Sequence, residues 1–88
     1  MAKKINCKHG LDRKQEIEAR RLRVKLEVGD ESVLAKYHLL WENWFKAPSM
    51  SFETYIQQNN IVYFSAYVRA CDSIGGHVIF NRIATYHD

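Results

Sequence analysis

A chain of 88 residues that is 47% hydrophobic, 26% charged and 12% aromatic has the composition of one small globular domain and no room for a second core. No run approaches the roughly 20 apolar residues of a membrane helix, and Met1 to Cys7 meets charge where a secretory leader is apolar, so an intracellular, cytoplasmic protein without membrane contact is expected. The net charge of +3 conceals a split: residues 1 to 25 hold nine Lys/Arg against three acids (+6), residues 26 to 88 hold four against seven (−3), and all eleven Phe, Trp and Tyr lie between Tyr37 and Tyr86.

Residues 1 to 10 show no periodicity and end in Gly10; they read as a polar basic arm, with residues 11 to 88 as a single helical domain. Asp12 suits a helix N-cap, Arg13 to Glu27 is rich in helix formers, and Gly29 stands where a C-terminal cap belongs. Against this, Leu22, Val24, Leu26 and Val28 alternate with Arg23, Lys25 and Glu27, which also fits a half-buried strand over 22–28. As a helix, the segment carries two opposed apolar stripes, Ile17, Val24 and Val28 on one side and Ala19, Leu22 and Leu26 on the other. Such a helix either bridges the body and a partner or sits wedged between two helices of its own chain.

Asp30 offers the next cap, and Val33, Tyr37, Leu40, Trp41 and Trp44 recur at helical spacing until Ala47-Pro48 ends the element. Ser51 caps a shorter helix through about Asn59, and Asn60 caps another from Ile61 to about Ser73, stopped by Gly75-Gly76. One continuous helix from Ser51 to Ser73 is the alternative. At the end, Val78-Ile79-Phe80 favours a strand on β-branching while Ile79, Ile83 and Tyr86 match helical spacing, so 77–86 is ambiguous and leans to helix. The fold class expected is mainly α, a small bundle of three to five helices with a basic N-terminal arm, a short strand at 22–28 or 77–86 being the variant.

Chemistry is sparse. There is no Gly-rich phosphate loop, no His-Glu-x-x-His, no nucleophile elbow and no Cys-x-x-Cys. Cys7, His9, Cys71 and His77 lack the paired spacing of a zinc site; His38 reads as a boundary residue on the flank of the second helix, and neither it nor His87 belongs to a catalytic pattern. No catalytic residue, metal ligand or cofactor is implied, and a non-enzymatic protein is expected. A helix-turn-helix has roughly the proportions of residues 51 to 73, but its second helix offers only Arg69 among aromatic and small apolar side chains.

What remains is binding. Lys3, Lys4, Lys8, Arg13, Lys14, Arg20, Arg21, Arg23 and Lys25 are the candidate contacts to nucleic acid or another polyanion. Their alternative reading is a solvated face, with Glu16–Arg20 and Arg23–Glu27 as ordinary i,i+4 pairs. Ile17, Leu22, Val24, Leu26, Trp41, Trp44, Phe45 and Tyr63 are the candidate protein interface, because Trp and Tyr dominate interface hot spots. The pattern Ser51-Phe52-Glu53-x-Tyr55-Ile56 … Tyr63-Phe64-x-Ala66-Tyr67-Val68-Arg69 resembles short helical accessory proteins of large tailed phages; the resemblance implies a regulatory or assembly role and assigns no functional residue. The expected function is a small adaptor that docks on a larger protein through an aromatic helical face and meets nucleic acid or an acidic surface with its basic third. The alternatives are a structural or homo-oligomeric subunit, in which the first helix pairs with its copy, and an inhibitor of an acidic protein.

Overall fold

The computed structural model describes residues 10 to 87, and these form five helices: α1 (Arg13–Val28), α2 (Glu31–Lys46), α3 (Phe52–Asn59), α4 (Ile61–Ile74) and α5 (Gly76–Ala84). Apart from Gly10, the expected basic arm lies outside the described residues.

Four of the five starts are closed by a side chain at the position read from the sequence. Asp12 accepts from the Gln15 backbone N–H while the Gln15 side chain reaches back to the Asp12 N–H, a reciprocal capping box. Asp30 caps α2 through Ser32 and Val33, Ser51 caps α3 through Thr54, and Asn60 caps α4 through Val62 and Tyr63. At Asn60 the backbone is extended (φ −159°, ψ 107°), so one residue both ends α3 and starts α4, and 51–73 is two helices instead of one. Gly29 terminates α1 in the left-handed region at φ 80°, where a side chain would be strained.

Among the described residues there is no strand, and both strand alternatives are overturned. The alternation over 22–28 is two i,i+4 pairs in disguise: Leu22 and Leu26 share one side of α1, Val24 and Val28 the other. With a cap at each end and helix formers between, the helical assignment wins over a pattern only seven residues long. Over 77–86, Ile79 and Ile83 are fully buried one turn apart on α5. The helical period thus outweighs β-branching there.

α4 is the central element. It packs on α1, α3 and α5, while α2 leans chiefly on α5. Ala19 on α1 and Ser65, Ala66 and Ala70 on α4 are fully buried, and side chains this small let two helices close up. Leu26, Tyr37, Ile56, Ile79 and Ile83 fill the interior. Trp44, Phe52, Tyr67 and Phe80 meet in edge-to-face and tilted pairs with ring centroids 5.5 to 6.5 Å apart. Tyr37 is sealed inside, yet its hydroxyl donates to the Tyr63 carbonyl at 2.8 Å, so burying the phenol leaves no unmet hydrogen bond. That burial pushes its ionisation well above the ordinary tyrosine value.

Arg82 on α5 donates to the Glu27 and Leu26 carbonyls at 2.6 and 3.1 Å, which closes the last turn of α1 from a neighbouring helix. Arg82→Ala removes that cap and is expected to lower stability by about 1 kcal/mol, read as a shift in urea midpoint with unchanged slope.

Candidate functional site

α1 is two-faced, and the structure decides which stripe goes inside. Ala19, Leu22 and Leu26 enter the core, whereas Ile17, Val24 and Val28 remain 44%, 46% and 74% exposed. Leu22 and Leu26, expected at a partner interface, are therefore corrected to core residues: they supply the buried stripe against the body and present nothing to a second protein. The helix is neither wedged between two others nor free to turn over.

Two contacts fix its orientation. One is the Arg82 cap. The other is a two-pronged ion pair in which Arg69 on α4 donates to both Glu16 oxygens at 2.6 and 2.7 Å, with Arg20 adding a third bond at 3.0 Å. The Arg69 guanidinium, aided by Arg20, lowers the Glu16 carboxyl to about 2 despite the opposing effect of partial burial. Both clamps use arginines from the otherwise acidic part of the chain, one acting on a flank of the buried stripe and the other on the last turn of the helix.

The cations sort accordingly. Arg23 is tied to Glu27 at 2.9 Å along the edge of the helix, and Arg20 leans on Glu16 while staying largely in solvent. Arg13, Lys14, Arg21 and Lys25 are exposed and make no ion pair with an acid among the described residues. At 100° per residue, Arg13 and Arg20 fall on one side of Ile17, Val24 and Val28, and Lys14, Arg21 and Lys25 on the other. The outer face of α1 is thus an aliphatic stripe between two cationic borders. Lys3, Lys4 and Lys8 lie outside the described residues.

The aromatic candidates divide too. Phe45 is exposed and stacks on Trp41 at 4.8 Å, and Trp41 stacks in turn on His38 at 5.4 Å. Trp44 and Tyr63 are half-buried and committed inward: the Trp44 indole N–H donates to the Met50 carbonyl at 2.6 Å, and Tyr63 stacks on Tyr37 at 4.9 Å. Of the aromatic face only Phe45, with the exposed Leu39 farther round α2, is fully offered to a partner.

Beside the middle of α2 is a groove of about 470 Å³ lined by Ala35, His38, Leu39, Glu42, Tyr86 and His87. His38 donates through Nδ1 to the Ile83 carbonyl at 2.7 Å, and its Nε2 stands 3.6 Å from Glu42. Among the described residues no serine, threonine or cysteine lines the groove. The bond from His38 to α5, 45 positions away, has no local signal in the sequence. α4, the would-be reading helix, has Val62, Ser65, Ala66, Tyr67 and Ala70 buried and its Arg69 held by Glu16.

Among the described residues no group of three or more His, Cys, Asp or Glu is placed to hold a metal ion. Burial pushes the Cys71 thiol up to about 11, which keeps it protonated. In a Cys7→Ser variant the remaining thiol should react with iodoacetamide at pH 8 at least about 10-fold more slowly than free cysteine. No helix among the described residues is long and apolar enough to cross a membrane.

No protein-family model, curated protein or solved structure matches the chain, so the functional reading rests on these surfaces alone.

Proposed function

We propose that the chain is a non-enzymatic adaptor: the outer face of α1 holds an acidic protein surface, and the end of α2 around Phe45 docks on a second, larger protein. The observation that carries this reading is the exposure of Ile17, Val24 and Val28 between two cationic borders on a helix whose opposite face is core. Leaving three β-branched aliphatics in water gains nothing for an isolated domain, whereas covering them stabilises a complex and the surrounding Arg and Lys select an acidic cover.

Affinity capture from the source cell tests it, with the full chain set beside an Ile17→Ser/Val24→Ser/Val28→Ser variant. The expected result is an acidic protein held by the first and lost by the second. Identical captures would remove α1 from the account. Light scattering on the purified chain should give a monomer; a salt-resistant dimer broken by Val24→Asp would instead make the protein a self-assembling subunit.

A second reading, contact with nucleic acid, is favoured by the exposure of Arg13, Lys14, Arg20, Arg21 and Lys25 along the two borders of the outer face of α1. It predicts binding to labelled duplex DNA or RNA that falls steeply between about 50 and about 200 mM salt. Flat or absent binding excludes it.

A further inference from the structure

Resting on the adaptor reading, we propose that the segment held by α1 is itself an acidic amphipathic α-helix, laid along α1 in coiled-coil register. The spacing of the exposed residues points there. Lys14, Ile17, Arg21, Val24 and Val28 follow one another at intervals of three, four, three and four, and all five are exposed. That is the alternation of the two seam positions in a paired-helix heptad repeat, with Ile17 and Val24 at one and Lys14, Arg21 and Val28 at the other. Arg13, Arg20 and Lys25 occupy three of the five flanking positions that choose a partner by charge; the other two are the exposed Glu18, and Glu27, which is tied to Arg23. From Ile17 to Val28 the seam runs about 17 Å, so about three turns of a partner helix suffice to cover it.

The same residues argue against the other occupants. A parallel second copy sets Arg21 on Arg21 and Lys14 on Lys14 in the seam. An antiparallel copy brings Arg21 against aliphatic side chains with no seam acid to meet it. Nucleic acid would lay phosphates across Ile17, Val24 and Val28, where they find no donor. An interfacial membrane helix needs a broad apolar face with Trp, Phe or Leu, and this stripe has one Ile and two Val. An acidic helix fits this face: apolar side chains opposite Ile17, Val24 and Val28, and carboxylates opposite Lys14 and Arg21 and beside Arg13, Arg20 and Lys25.

The probe is a synthetic three-heptad peptide with Leu at its seam positions, Glu at the seam position facing Arg21, and Glu at the flanks. Isothermal titration against the full chain is expected to give saturable one-to-one binding that weakens at least about tenfold with Val24→Asp. Arg21→Glu should lose this peptide and gain one with Lys in place of those Glu residues. Both substitutions are on the exposed face, and an unchanged circular dichroism spectrum confirms that the variants fold. A scrambled, proline-broken peptide of equal charge should not bind. Equal affinity for the broken peptide, or indifference to Val24→Asp and Arg21→Glu, overturns the helical assignment. Should α1-dependent capture persist while the helical peptide is ignored, the helix falls and the adaptor stands. If capture and peptide binding are both independent of α1, both fall.

Discussion

Leu26→Ala will cost about 3 kcal/mol of folding stability and Val24→Ala less than about 0.5, although the two residues are neighbours but one on the same helix. Leu26 is fully buried, so truncation removes its burial energy and leaves a cavity that packed helices close only in part. Val24 is about half in water, and exchanging a β-branched residue for Ala improves helix propensity, which offsets what little packing is lost. A domain of this size has a total stability of only about 4 to 13 kcal/mol, so the Leu26 variant loses a large fraction of it. Urea denaturation of both variants is the measurement. Equal costs would mean that the stripe at Ile17, Val24 and Val28 is packed against something, and the division of α1 into an inner and an outer face would fail.

Glu16→Gln is expected to cost about 2 kcal/mol at neutral pH. Removing the charge leaves the Arg69 fork facing a neutral amide at the junction of α1 and α4. The Glu16 carboxyl titrates at about 2 in the folded chain against an ordinary value near 4.5. The whole of that difference corresponds to roughly 3 kcal/mol, and side chains 30% and 29% exposed feel solvent screening that reduces it. The sign follows from the lowered value: the contribution is complete above about pH 4.5, declines as the unfolded carboxyl takes up its proton, and is gone once pH falls below about 2. Urea midpoints of the two proteins should be well separated at pH 7 and converge in acid. A separation that survives near pH 2 would show that the substitution acts through packing and not through the ion pair.

The helix starts were legible from the sequence because caps are local: Asp12, Asp30, Ser51 and Asn60 act on backbone groups two or three positions away. Both apolar stripes of α1 were legible for the same reason, since they follow from a period of 3.6 residues. Which stripe turns inward was not, because it depends on α4 and α5. Arg69 reaches Glu16 across 53 positions and Arg82 reaches Glu27 across 55, and neither spacing has a sequence signature. Leu22 and Leu26 were misplaced on an interface for want of those contacts. The aromatics show the same limit: composition drew attention to Trp44 and Tyr63, and only long-range stacking and the bond to Met50 show that their surfaces are spent inside. The heptad interval from Lys14 to Val28 was present in the sequence, but it acquires meaning only once the opposite face is known to be buried.

The claim on which the rest depends is that the outer face of α1 is built to be covered by an acidic partner. An NMR titration of the nitrogen-labelled full chain with the acidic three-heptad peptide tests it residue by residue. The account predicts backbone amide shift changes concentrated over 13–28, largest around Ile17, Arg21, Val24 and Val28, with the end of α2 and the groove at Tyr86 unmoved. Changes centred on His38, Phe45 and Tyr86, with the amides of 13–28 unmoved, would contradict it.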